Sequence, residues 1–202
     1  MYLHSLKLQL RSSASLRGAF TLQILGMIFN NIIIIFAWVF LFKRFGTING
    51  WSSSELIGLN AINMTIYGFI TISSGGIRDL SRHVDNGSLD GLLTKPSPVL
   101  LQLAGGNLEP SALGDILLGI TMTIWYMSIS DISSIQLILF ILALVIGMII
   151  FWCFAILLPS LISFYIFDSE KIAYIVRGLF LDSYIYPTGV LTGPIRSILL
   201  TI

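Results

Sequence analysis

Residues 18–42 contain no charged side chain, and three further long apolar runs follow them at 56–77, 111–130 and 133–158. A helix needs about 20 apolar residues to cross a hydrocarbon core roughly 30 Å thick, and inside that core the backbone must satisfy its own hydrogen bonds. The pattern predicts an all-α polytopic membrane bundle of four full spans and the start of a fifth. It also places the chemistry of the chain in the segments between spans.

Apolar residues make up 55% of the 202 residues and charged ones 10%, where a soluble domain carries about 25% charged residues. A formal net charge of +1 provides neither a basic face for nucleic acid nor an acidic tail. Cys153 is the single cysteine and lies in an apolar run, so it cannot pair within the chain and reads as a small buried hydrophobe. Residues 1–17 are punctuated by Lys7, Arg11 and Arg17 and lack the apolar stretch and cleavage site of a signal peptide.

Within residues 3–16, Leu3, Leu6, Leu10 and Ala14 recur at helical spacing with Lys7 and Arg11 opposite, which predicts an amphipathic helix on the membrane surface. The first two spans form a hairpin around a turn at 46–54. Residues 78–110 form the longest polar segment, with Arg78, Arg82 and Lys95 against Asp79, Asp85, Asp90 and Glu109. The third span carries Asp115. Residues 132–167, uncharged throughout, would make a helix of roughly 54 Å at about 1.5 Å per residue, and Pro159 is expected to kink it. Residues 168–183 read as charged and amphipathic. The last apolar stretch, 195–202, is too short to cross a bilayer, so the end reads as a truncated fifth span (189–202) or a re-entrant piece, and the chain as a fragment or degraded copy.

Basic residues are retained on the cytoplasmic side. With the N-terminus inside, that side holds Lys7, Arg11, Arg17, Arg78, Arg82, Lys95, Lys171 and Arg177, and the other side only Lys43 and Arg44. The expected orientation is a cytoplasmic N-terminus in a cell inner membrane.

Several chemistries lack their residues. A phosphate loop ends in G-K-S/T, whereas Lys7, Lys43, Lys95 and Lys171 follow Leu, Phe, Thr and Glu. No G-x-S-x-G nucleophile motif occurs, and His83 near Asp85 reads as a solvated polar face. Membrane phosphatidyltransferases carry D-x-x-D-G-x-x-A-R with further carboxylates. Here Asp90-Gly91 is followed by Thr94-Lys95, Gly87 replaces the first Asp, and only Asp115 stands downstream. The two-metal site of such enzymes would lack ligands, and no cofactor is expected.

The run N-G-S-L-D-G-L-L-T-K-P at 86–96, with Ile77 and Arg78 before it, resembles the I-R-x-G-x-L-D-x-L-L-x-K/R-P pattern of bacterial type-two ABC-transporter permeases. Other pieces fall in that family's order: G-x-I-x-G-W at 46–51 with Glu55, N-L-E-P-S-A-L-G-D at 107–115, F-D-S at 167–169, Y-P at 186–187 and P-x-R at 194–196. The resemblance spans nearly the whole chain and implies a permease subunit of an ATP-binding-cassette exporter. A separate ATP-binding subunit and a second permease chain, identical or related, would be its partners. It further implies that residues 78–96 act as a coupling element docked on the ATPase, with Arg78, Arg82, Gly87, Leu89, Asp90, Leu92, Leu93, Lys95 and Pro96 as candidate contacts. Arg78, Leu80, Arg82, Val84 and Leu89 supply the mixed charged and apolar anchors that docking needs. Asp90 is expected to cap a helix starting at Gly91, with Pro96 ending it.

Intramembrane charge is expensive and points to function. Asp115 is expected to pair with Arg78 or Lys95 or to line a substrate path. Asn30, Asn31, Asn60 and Asn63 are expected to bond between helices. Two rival functions stay open, a membrane-embedded lipid-modifying enzyme and a non-transporting membrane anchor.

Overall fold

The computed structural model describes residues 2–15, 17–47, 50–107, 109–130 and 133–165, with Lys171, Tyr174 and Ile175. The proposed fifth span, the amphipathic stretch after 167 and the motifs at 167–169, 186–187 and 194–196 lie outside the described residues.

All regular structure among the described residues is helical. α1 (Tyr2–Ser15) leads into α2 (Arg17–Phe45), and after a turn comes α3 (Ser53–Ser74). A 3₁₀ turn, Gly75–Asp79, carries the chain directly into α4 (Leu80–Asp85), followed by two short helices, α5 (Leu89–Leu93) and α6 (Val99–Ala104). α7 (Ser111–Ile129) and α8 (Ser134–Phe151) follow, and the path of α8 continues through a π turn, Trp152–Leu157, into α9 (Leu158–Leu161). Among the described residues, four helical stretches are long and apolar enough to span: Arg17–Phe45, Ser53–Asp85, Ser111–Ile129 and Ser134–Leu161.

Local sequence accounts for the helix ends. α3 opens on a capping box, in which Glu55 N–H donates to Ser52 Oγ (3.3 Å) and Ser52 N–H donates to Glu55 Oε2 (2.8 Å). α8 repeats the device, with Gln136 N–H on Ser133 Oγ (3.4 Å) and Ser133 N–H on Gln136 Oε1 (2.9 Å). Each box satisfies two donors that the first turn leaves without helical partners. At its 29 residues, α2 is about 43 Å long and overshoots the hydrocarbon. Its closing Lys43 and Arg44 thus reach the interface and offset the negative end of the helix dipole.

α3 is the central helix, packed on α2, α7 and α8. Lipid is as apolar as leucine, so membrane helices associate through close packing, and the sequence supplies it with small residues. A Cβ on Gly119 would lie 2.7 Å from the Thr65 backbone nitrogen, and one on Gly114 2.9 Å from the Ile24 carbonyl oxygen. Ile57, Ala61, Met64 and Met122 close the α3–α7 contact. At the other end Ile66, Ile77, Leu80, Leu103, Phe151 and Ile156 form a second cluster, which seats the 3₁₀ turn, α4 and α6 against α8 and the π turn. Large side chains of α2 and α8, such as Phe29, Phe36, Ile138 and Ile146, stay exposed.

In the long apolar run a register change precedes Pro159. Proline has no N–H to donate and crowds the preceding turn. The chain responds with the π turn, where Leu158 N–H donates to the Cys153 carbonyl five residues back. Ser160 Oγ then donates to the Ile156 carbonyl at 2.7 Å.

Candidate functional site

The polar segment at 78–110 divides into a buried half and a presented half. Leu80 and Ser81 are buried and Val84 packs against the α3–α8 cluster, so residues 77–85 continue the bundle. Arg78 is also turned inward, with 11% of its side chain exposed. Its Nε donates to the Gly75 carbonyl (3.1 Å), and its Nη2 forms an ion pair with Glu109 Oε1 at 2.7 Å, off the hydrogen-bond direction. A second tie crosses the same junction, from Asn107 Nδ2 to Asp79 Oδ2 at 2.9 Å. Gly76 lets the two segments of chain approach, because a Cβ there would lie 2.9 Å from the Asn107 backbone nitrogen.

The presented half begins at Gly87, whose φ of +70° reverses the chain in a region that side-chain-bearing residues rarely enter. Asn86 Oδ1 accepts from Ser88 N–H (3.0 Å) and Ser88 Oγ (2.6 Å), and Ser88 Oγ lies 2.6 Å from His83 Nδ1. His83 is thereby engaged by the turn. α5 follows, with Leu89 and Leu92 resting against the core cluster while Asp90, Leu93, Lys95 and Pro96 face outward. Leu93 is 61% exposed. Gln102 on α6 holds the exit of α5, its Nε2 donating to the carbonyls of Leu92 (3.1 Å) and Ser97 (2.7 Å). α1 is pinned beside them by Gln9 Nε2 on the Gly106 carbonyl (2.8 Å). Between α1 and this segment opens a cleft of about 690 Å³ walled by Leu8, Asp79, His83, Leu92 and Leu101.

Asp115 sits in the bundle 2% exposed, between α7 and α2. Asn31 Nδ2 donates to its Oδ1 at 2.6 Å, and Oδ2 has no hydrogen-bond partner among the described residues.

Four sequence expectations change here. Arg78, Leu80 and Val84 are internal supports and Leu89 is an anchor, because the 3₁₀ turn rotates α4 onto the bundle. Arg78 pairs with Glu109, so Asp115 takes its hydrogen bond from Asn31. α5 starts at Leu89, which places Asp90 in its first turn, and no side chain of the described residues caps it; Asn86 Oδ1 instead closes the turn that precedes it by accepting from Ser88. Among the asparagines, Asn31 bonds across helices as expected, whereas Asn60 Nδ2 donates within its own helix to Leu56 (2.9 Å). The capping boxes, S-S-S-E at 52–55 and S-S-I-Q at 133–136, were legible signals of where α3 and α8 begin. Glu109, Asn86 and Gln102 carried no comparable signal, since their partners lie across the fold.

A bundle of helices long and apolar enough to span, with a firmly held polar segment at one end, defines a multi-pass membrane protein. The family model described as "ABC-2 family transporter protein" matches residues 28–202, and the chain belongs to that family. It is therefore a transmembrane subunit of an ABC transporter, which works with an ATP-binding subunit. Neither a curated protein nor a solved structure matches the chain.

Proposed function

We propose that this chain is the permease subunit of an ABC exporter and receives the work of ATP hydrolysis through α5. The N-terminus and the α4–α6 end face the cytoplasm of a cell inner membrane, and two permease chains pair around the path. The presented face of α5, formed by Asp90, Leu93, Lys95 and Pro96 with Arg82 and the Gly87 turn beside it, docks on a separate ATPase. One observation carries this reading: α5 is held from behind by Leu89, Leu92 and Gln102 while a large apolar side chain, Leu93, is left outward among charges. An apolar residue ringed by polar ones is the pattern of a docking hot spot.

Force applied to α5 would pass through Leu92 and Gln102 to α6, and through the Arg78–Glu109 and Asp79–Asn107 ties to the start of α7. Closure of the ATPase pair would then move α3 and α7 together against α2 and switch the path between its inward- and outward-facing forms. The test is co-purification of the ATPase subunit with Leu93→Glu and Asp90→Lys permeases at matched expression. Each variant should weaken retention by roughly 1–3 kcal/mol with membrane insertion unchanged, and unaltered retention by both refutes the docking assignment.

A further inference from the structure

Asp115 carries chemistry that the docking face and the force path leave unused. Its carboxyl group is 2% exposed, on a helix packed between α2 and α3. Asn31 Nδ2 donates to Oδ1 at 2.6 Å, and the buried Oδ2 has no hydrogen-bond partner among the described residues. The elements packed on it supply no cation at its level. α2 has no ionisable side chain between Arg17 and Lys43. α3 has Glu55 in its first turn and Tyr67, and of these Tyr67 lies within electrostatic reach of Asp115. Ahead of α7 the charged group that acts on Asp115 is a second carboxylate, Glu109, which itself holds Arg78. Space is equally short. A Cβ on Gly114 would lie 2.9 Å from the Ile24 carbonyl oxygen on α2, and one on Gly68 of α3 would lie 2.9 Å from the Ile116 backbone nitrogen. Both neighbouring helices thus touch α7 within one residue of Asp115.

An ionised carboxylate with one hydrogen bond is heavily penalised in such surroundings. A buried water needs room and several polar partners, and a hard metal cation needs several oxygen ligands. A proton needs no room. We propose that Asp115 is a proton-binding site, occupied in this packed form, and that the bound proton latches α2 to α7. The proton sits on Oδ2, which leaves Oδ1 as the carbonyl oxygen that accepts from Asn31. When the proton leaves to solvent, Oδ2 becomes an anionic acceptor without a donor, and α2 must part from α7 to admit water to it. The α2–α7 contact is therefore held at low pH and loosened as pH rises. The link to transport rests on the permease reading, in which α2 moves against α7, whereas the proton site stands without it.

The test uses the full chain in lipid nanodiscs, without the ATPase and with protons as the only ligand. The infrared spectrum at neutral pH should contain the C=O band of a protonated carboxyl group, and Asp115→Asn should lack it. In Asn31→Leu the band should move to higher frequency, because the carbonyl loses its donor, and this shift assigns the band even where Asp115→Asn does not fold. Raising the pH should remove the band in one titration. Over the same range the unfolding temperature of the wild type should fall, while that of Asp115→Asn stays level. A wild-type spectrum without the band at neutral pH, or a band untouched by both substitutions, would overturn the proton site. Equal pH profiles of stability in wild type and Asp115→Asn would overturn the latch. Each of these failures leaves co-purification of the ATPase, and with it the permease reading, unaffected.

Discussion

Asp115 shows how much one side chain can reveal and conceal. A carboxyl group in the second turn of an apolar helix stands out by composition alone, because burial of charge requires a reason. Its partner was not legible, since pairing Asp115 with Asn31 depends on the register of α2 against α7, which the Gly114 contact with the Ile24 carbonyl sets. Arg78 was the nearer candidate by side and charge, but Glu109 intercepts it at the junction of the 3₁₀ turn and α7. Neutral interhelical hydrogen bonds in membranes average about 0.6 kcal/mol, while orphaning a buried polar group costs roughly 1–3 kcal/mol and more when it is charged. Asn31→Ala should therefore lower the thermal stability of the purified protein, and Asn31→Ala with Asp115→Leu should recover part of the loss. A double variant no more stable than Asn31→Ala would show that Asp115 does not depend on Asn31.

Among the elements, the spans were readable and the connections were not. Hydropathy located the four spanning stretches of the described residues because lipid imposes one length and one polarity on every such helix. Beyond the apolar run that ends at 77, one turn of 3₁₀ geometry keeps Leu80, Ser81 and Val84 on the bundle. Glycines separate supports from presented surface here. Gly76→Ala would press a methyl group onto the Asn107 backbone and should destabilise by roughly 1–3 kcal/mol, as overpacking does. At Gly91 a methyl group would meet nothing within 4 Å, so alanine should be accepted there and add about 0.5–1 kcal/mol of helix stability. Thermal unfolding in detergent checks both, and equal shifts would contradict the division of the segment into a packed and a presented half.

The described helices pack into one continuous body. α3 and α7 are locked by small-residue contacts, α4 and α6 are seated on α3 and α8, and α5 is clamped onto α6, so a push on α5 has a packed route into the spans. Family resemblance in the order of short motifs was visible in the sequence, and membership over residues 28–202 agrees with it. What patterning left hidden was the direction each side chain faces. The most direct measurement is a cysteine cross-linking scan of the assembled transporter in membranes. Cysteines replacing Asp90, Leu93 and Lys95 should cross-link to the ATP-binding subunit, while cysteines replacing Leu89, Leu92 or Thr47, on the turn at the other end of α2, should not. Cross-links from Thr47 to that subunit, or none from Leu93, would contradict the assignment of α5 as the place where ATP hydrolysis is coupled to the permease.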